Sequence, residues 1–435
     1  MDVKCSNKWL DGRLTRSSLV LSTVRIVEVG YLKNVMKQPG RFVLTSFQKF
    51  CIRWSVLFDS SSDRLSRTER ALRSVQFSMI MITSVMTMTS VLIADNKKAL
   101  ESFTYFVICV FMLAIITFAI RTKRFNRTML LMIIDEFPGY ERPMPEALKR
   151  KMSAIRTSYG KFTMKIMISY LTLVLFEIPA TAMVPLTAAS LTDVKLGSQS
   201  TQMVVLWFPG DTTQIRTYVF SFVAQILIVM IVKFIITGIM CSFSFFVNQM
   251  ITEFQILSAY IKHAIEIVEY DISTDKTTEQ KLLDHVKSCV MLHHRLIDFK
   301  DQLNESYGYI ILLELMFSTL YFCLSAFNMI FVGNKFVIAK GLLTLSNYLA
   351  ELFIFCMFGS MVEDAHVGLL RASYSAEWYT QSVRFRRSLM MIMSRTQTSL
   401  QLTIGKVFIA NLPLFLSVLK VSYSGVNALR AANAK

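Results

Sequence analysis

The chain has 435 residues, 53% of them hydrophobic, with 33 Phe, 26 Met and a mean hydropathy of +0.45, which is too apolar for an ordinary soluble domain of its size. Lipid must be part of its solvent; intrinsic disorder is excluded as the main state, and with only 15 Gly and 8 Pro a β-barrel is disfavoured as well. A formal charge of +17 would point to nucleic acid in a soluble protein, but here the placement of the charges matters more than their sum.

The first 40 residues carry charges every few positions and no apolar run long enough for a cleavable leader, so the first span is expected to be its own insertion signal. Crossing a hydrocarbon core of about 30 Å takes about 20 mostly apolar helical residues. Stretches of that kind predict seven spans, at 74–94, 102–120, 166–187, 217–246, 307–332, 336–362 and 407–429. The third carries Glu177, Pro179 and Pro185, and the prolines at 138, 143 and 145 interrupt the chain before a helix that leads into it from Glu146. Beyond the fourth span, apolar residues recur at three and four residue spacing over 251–268 and again over 280–299. These predict cytosolic helical extensions of spans four and five, joined by a polar turn at 271–278 that supplies an N-cap. Only Gly333, Asn334 and Lys335 separate spans five and six, which demands a tight hairpin. The fold class expected is an all-α membrane protein with seven transmembrane helices.

Lys and Arg set the orientation. About 36 of them fall in the tail before span one and the segments joining spans two to three, four to five and six to seven, against about 7 on the other side. The N-terminus is therefore expected in the cytosol and the C-terminus outside. Both Asn-x-Ser/Thr sequons, at Asn126 and Asn304, then lie on the cytosolic side, away from glycosylation. Seven cysteines, an odd number, sit in apolar or cytosolic stretches, so no disulfide framework is expected.

Catalytic motifs are missing: there is no phosphate-binding glycine loop, no His-Glu-x-x-His and no Cys-x-x-Cys, and the adjacent His293 and His294 face different ways on a helix. No enzyme, no cofactor, no metal and no nucleic-acid partner is expected. A G-protein-coupled receptor is disfavoured by the inverted charge bias, and by Asn411-Leu-Pro-Leu-Phe415 where such a receptor carries Asn-Pro-x-x-Tyr.

The last third of the chain resembles the insect odorant receptors. Ser375-Ala-Glu-Trp-Tyr379 with the basic run Arg384 to Arg387 looks like the family's Trp-Tyr element before its last helix. Ser399-Leu-Gln-Leu-Thr-Ile-Gly-Lys-Val-Phe408 and Leu416-Ser-Val-Leu-Lys-Val-Ser-Tyr-Ser424 are similar to its closing pattern, and Trp207-Phe-Pro-Gly210 is a fainter likeness. The resemblance implies a non-selective cation channel gated by a small volatile ligand. It further implies a heterotetramer with a co-receptor subunit around a pore built by the seventh helix, in the plasma membrane of a sensory neuron dendrite. The co-receptor typically has a longer segment between spans four and five, so this chain reads as a ligand-tuning subunit. The expected division is a cytosolic tail at 1–73, a ligand-binding bundle of four spans at 74–245, a cytosolic extension for anchoring and assembly at 246–306, spans five and six at 307–362, a cytosolic helical segment at 363–400, and the pore helix with a short extracellular tail at 401–435. A gustatory-receptor-like channel and a membrane transporter are the alternatives.

Ionisable residues inside a membrane are functional candidates by default, and Glu177, Lys233, Lys340, Glu351 and Lys420 need an account. Lys340 lies close enough to the start of its span to snorkel. Lys233 lies about 27 Å below the start of span four and Glu351 about 22 Å below that of span six, so these two are expected to form an ion pair. Lys420 is at a depth similar to Glu177. For a volatile ligand the expected contacts are Phe103, Phe106, Thr172, Phe176, Tyr218, Gln225, Tyr321, Ser325 and Tyr348, aromatic and small polar residues in the outer halves of spans two to six. On the pore helix the resemblance puts an apolar gate at Val426, with Arg430 one turn further out. Ser417, Lys420, Ser424 and Asn427 form a competing polar stripe that points well away from Val426.

Overall fold

A computed structural model describes residues 67–93, 103, 106, 109–111, 113–115, 144–191, 202–204, 214–271, 277–332 and 335–433. Among the described residues the continuous α-helices are α1 (Arg67–Ile93), α2 (Glu146–Leu191), α3 (Ile215–Lys262), α4 (Ala264–Tyr270), α5 (Thr278–Val332), α6 (Lys335–Ser375), α7 (Val383–Gln397) and α8 (Leu412–Asn433). Of the expected second span, residues 103, 106, 109–111 and 113–115 are described and are helical. The tail before 67, the sequon at Asn126 and the loop at 207–210 lie outside the described residues.

Among the described residues four helices are long and apolar enough to cross a membrane, over Glu146–Thr187, Ile215–Lys262, Thr278–Phe327 and Ile338–Ser375, and Ser78–Ile93 is apolar but shorter. All four exceed what a bilayer needs, α3 and α5 by the most. At a rise of about 1.5 Å per residue, the 48 residues of α3 and the 55 of α5 reach more than twice a core of about 30 Å. The surplus is what the three-and-four spacing predicts, since α3 runs on to Lys262 and α5 starts at Thr278. Gln280 N–H donates to Thr277 Oγ1 at 3.4 Å, so the polar turn does supply a cap. As expected, α2 begins at Glu146, with Leu148 N–H donating to the Pro145 carbonyl.

Hydroxyls on α1 bond back to their own helix. Thr83, Ser84 and Thr87 hydroxyls each donate to a backbone carbonyl one turn back, at 2.7–3.0 Å. Such back-bonding is how a helix carries hydroxyls in a medium that offers no water.

The main core lies where the surplus lengths meet. Phe243, Phe246 and Phe254 of α3 are buried with Leu296, Phe299 and Tyr307 of α5, Phe358 and Leu369 of α6, and Phe385 and Leu389 of α7. Phe243 meets Tyr307 and Phe355 edge-on, with ring centroids 5.7 and 5.1 Å apart. A charged latch lies in the same region. Arg156 Nη2 stands 2.7 Å from Glu253 Oε1, to which Gln249 also donates at 2.9 Å.

The last helix departs from expectation. A span starting at 407 is not what forms; β1 (Thr403–Ile404) and β2 (Phe408–Ile409) make an antiparallel hairpin first. Gly405 and Lys406 both take positive φ, 57° and 62°, the pair of left-handed residues a type I′ turn requires. The helix begins at Leu412 because Asn411 Oδ1 caps it, accepting from Leu414 N–H at 3.0 Å, and Pro413 occupies the first turn. Hydropathy sees 407–410 as apolar and cannot distinguish a short hairpin from the head of a span.

Candidate functional site

Where α2, α3, α5 and α6 run side by side, the structure gathers the buried charges. Lys233 Nζ of α3 lies 2.9 Å from Glu177 Oε2 of α2, both side chains nearly inaccessible. Asn347 Nδ2 of α6 donates to the same carboxylate oxygen. The ammonium also stands 5.1 Å from the centre of the Tyr348 ring, a cation–π contact from α6. A carboxylate in hydrocarbon is tolerable only when paired and hydrogen-bonded, and Glu177 is both.

The expected partner of Lys233, Glu351, has a different environment. Its carboxylate accepts from the Tyr170 hydroxyl of α2 and is hydrogen-bonded to the carboxyl of Glu314 on α5. Lys233 remains within electrostatic range of both acids, but its ion pair goes to Glu177. Glu314, Tyr170 and Asn347 were not singled out from the sequence. Glu314 could have been, being one more acid inside an apolar span; the other two are ordinary polar residues until their neighbours are known.

A cavity of about 100 Å³ opens beside the Glu177–Lys233 pair. Its walls come from six helical segments: Thr83 of α1; Cys109 of the expected second span; Glu177 and Thr181 of α2; Ile228, Val229, Val232 and Lys233 of α3; Tyr321 of α5; and Lys340, Thr344 and Tyr348 of α6, with Met203 and Val204 over one side. That is room for several waters or a small organic group. Tyr321 and Tyr348 form its aromatic wall, with ring centroids 4.8 Å apart, and Phe317 packs edge-on behind Tyr348 at 5.2 Å.

Two of the nine expected ligand contacts, Tyr321 and Tyr348, therefore line this cavity. Gln225 supports it from outside, its carbonyl oxygen accepting from Met203 and Val204 N–H at 3.1 and 3.0 Å and its amide donating to Ser221 at 3.1 Å. Tyr218 stacks on Phe222 at 5.9 Å, and Ser325 is buried; neither is among the lining residues. Phe103, Thr172 and Phe176 are exposed and Phe106 half-buried, all away from the lining. Lys340, expected to snorkel, instead has its side chain 8% exposed at the cavity wall.

On α8, Val426 is half-buried, while Ser417, Lys420, Ser424, Asn427 and Arg430 are exposed. Lys420 therefore does not meet Glu177, whose charge is answered by Lys233.

A second cluster sits among the projecting helices. His293 of α5 and His366 of α6 stack at 5.5 Å with Nε2 atoms 3.3 Å apart, and Phe254 meets both rings edge-on. Burial holds both imidazoles down to about 4; neighbouring His366, His294 and Arg395 add to this at His293, and Arg395 and Lys300 at His366. Among the described residues no group of three or more His, Cys, Asp or Glu side chains is arranged to hold a metal.

Residues 95–423 match the family model described as 7tm Odorant receptor. Odorant receptor 85b of Drosophila melanogaster is 28% identical to the chain over 150 residues, which is 34% of this chain and 36% of that one. The odorant receptor coreceptor of Harpegnathos saltator is 25% identical over 145 residues, 33% of this chain and 30% of that one. The chain thus spans about a third of the length of these curated relatives. The structure of the insect olfactory receptor OR5 from Machilis hrabei in complex with eugenol superimposes with a TM-score of 0.70 at 16% identity, over 89% of this chain and 97% of that one. A second structure of the same receptor gives 0.69, over 93% of this chain and 98% of that one. At such identity the likeness is one of fold.

Proposed function

The chain belongs to the 7tm odorant receptor family, and from that premise we propose that it is the ligand-tuning subunit of an odorant-gated, non-selective cation channel. The observation that carries the reading is the cavity enclosed by the helix bundle, apolar along α3 and bordered by the Tyr321–Tyr348 wall. A concave, mostly apolar site with a few convergent polar groups is what a small organic ligand requires. Like the resemblance in the last third of the sequence, the eugenol complex of the structurally similar OR5 points to a small-molecule receptor.

In this reading the chain lies in the plasma membrane of a sensory dendrite with seven spans, its N-terminus in the cytosol and its C-terminus outside. The bundle of α1 to α3 with α5 and α6 binds the volatile ligand. The projecting parts of α3, α5, α6 and α7, which hold the main core, anchor and assemble the subunits. α8 lines the ion path, with Val426 as its apolar constriction. The partner is a co-receptor subunit in a heterotetramer. The short connection between α4, ending at Tyr270, and α5, starting at Thr278, supports the tuning role over that of the co-receptor.

The test is whole-cell recording of cells expressing the chain with and without an insect co-receptor, against a panel of volatiles. Ligand-evoked cation current that needs both subunits is expected. A heteromer that reaches the surface and answers no volatile would refute the reading. In the same cells an antibody epitope added at Lys435 should stain without permeabilisation and one at Met1 should not; the reverse overturns the orientation.

A further inference from the structure

Among the described residues that line the cavity, only Met203 and Val204 stand outside a helix. They belong to the connection between α2 and α3, on the side expected to face outwards. Both are buried, packed against Met86 of α1, Ala182 of α2, and Phe222 and Ile226 of α3. Buried backbone outside a helix or sheet must find its acceptors elsewhere, because hydrocarbon offers none. Gln225 of α3 supplies one: its side-chain carbonyl oxygen takes the consecutive N–H groups of Met203 and Val204 at 3.1 and 3.0 Å.

This contact sits deep. At about 1.5 Å per residue, Gln225 lies about 15 Å along α3 from its start at Ile215, so Met203 and Val204 dip into the bundle instead of lying on its rim. Two backbone donors fix the amide oxygen towards them, which turns the NH2 group to Ser221 Oγ one turn back, at 3.1 Å. An apolar residue at 225 would pack as well against its neighbours but would take this acceptor from two buried N–H groups, so the amide is explained by the backbone it holds. The rest of the lining is helix, closed by its own hydrogen bonds, and yields only by separating packed spans. The part of the wall that moves at least cost is the part tied by side-chain hydrogen bonds.

We infer that Gln225 is the clasp of the ligand entrance: it holds Met203 and Val204 across the outer side of the cavity, and a ligand enters and leaves when these two hydrogen bonds open. Gln225 is a positioning residue, since it acts through the backbone it holds and does not itself line the cavity. The inference rests on the receptor reading and adds a route of entry to it. Losing the acceptor of two buried N–H groups should raise the open fraction by at least about fivefold. A side chain that only packs would change how much receptor reaches the surface, and not how often a surface receptor opens at Met203 and Val204.

The experiment places Val204→Cys, a buried reporter that keeps its backbone N–H, in the full-length chain expressed with a co-receptor. Intact cells are labelled with a membrane-impermeant biotin maleimide, and the chain without the reporter is the blank. Adding Gln225→Met, which keeps the bulk and loses the acceptor, should speed labelling per surface receptor at least about fivefold. Gln225→Glu accepts both N–H groups and takes the Ser221 hydroxyl as donor, so it should restore slow labelling. In the same cells, without the reporter, current evoked by the strongest volatile of the panel should decay faster after washout in Gln225→Met by a similar factor. If Gln225→Met does not reach the surface, Ser221→Ala decides, with labelling at least about twofold faster expected. Labelling unmoved by the variant that decides, labelling equally fast in Gln225→Met and Gln225→Glu, or faster labelling with unchanged decay would each overturn the inference and leave the receptor reading standing. Silence to every volatile from a surface-expressed heteromer overturns the receptor reading and the entrance with it.

Discussion

Lys233 offers a sharp quantitative test of the charge cluster, because three carboxylates, Glu177, Glu314 and Glu351, lie within its electrostatic range. Its ammonium and the Glu177 carboxylate are 2.9 Å apart with side chains 7% and 6% accessible. Replacing either by a neutral residue leaves the other charge buried without its counter-ion, a loss of about 3–5 kcal/mol for a pair of this kind. Lys233→Met should be the more damaging change, since it leaves Glu177 only the Asn347 amide. Glu177→Gln leaves the ammonium still resting on the Tyr348 ring, a contact that retains about 1–2 kcal/mol. The double substitution removes both charges and should recover roughly half or more of the loss, giving a coupling energy of about 2–3 kcal/mol. The assay is the thermal midpoint of the detergent-solubilised protein, with surface expression as a second measure. A parallel cycle of Lys233→Met with Glu351→Gln should show the smaller coupling, since Glu351 has Tyr170 and Glu314 as its hydrogen-bond partners. Additive losses in the first cycle, or larger coupling in the second, would refute the pairing.

Other substitutions probe the packing and the proposed pore. A Cβ at Gly359 would collide with the Ala410 carbonyl, its carbon at 2.7 Å; backbone cannot yield as a side chain can, so Gly359→Ala should lower the thermal midpoint and surface level by about 1–3 kcal/mol of stability, and an unaffected variant refutes the contact. Gly160 of α2 has open space at its Cβ, so Gly160→Ala should instead be neutral or stabilise by up to about 1 kcal/mol in the same measurement. His293 and His366, held down to about 4, are neutral when folded, whereas unfolded imidazoles take up protons below about 6.5. The unfolded state then binds more protons across that window, so stability is full above it and falls as pH drops from about 6.5 towards 4. Replacing both by Phe should flatten the pH dependence of the thermal midpoint, and an unchanged slope counts against the pair as its source. On α8, a small polar residue at Val426 should raise basal leak or alter permeability; block by cysteine reagents at Ser417, Ser424 and Asn427 but not at 426 would make the polar stripe the pore lining instead.

The parts of this fold that the sequence discloses are those governed by one-dimensional pattern. Length and hydropathy set α2, α3, α5 and α6, and the three-and-four spacing of apolar residues over 280–299 foretells that α5 continues as an amphipathic projection. Thr277 could be read as a cap because its chemistry is local. Asn411 with Pro413 is an equally local signal for the start of α8 that the hydropathy-based boundary does not use.

The site needed a second coordinate. Rise along a helix gives depth, and depth alone makes Glu177, Glu314 and Glu351 rival partners for Lys233. The choice among them depends on how each helix is rotated, and at about 100° per residue an error of one position changes the neighbour. Asn347 and Glu351, one turn apart on α6, show the consequence: Asn347 serves the Glu177–Lys233 pair, and Glu351 turns to Tyr170 and Glu314. Lys340 fails for the same reason. Its closeness to the end of the span makes snorkelling a reasonable expectation, but the helix presents it to the cavity wall instead. Of the aromatic candidates, Tyr321 and Tyr348 line the cavity, while Phe103 and Phe176, equally aromatic, are exposed. Residue type and depth thus nominate a set of candidates, and helix rotation decides which of them can act together.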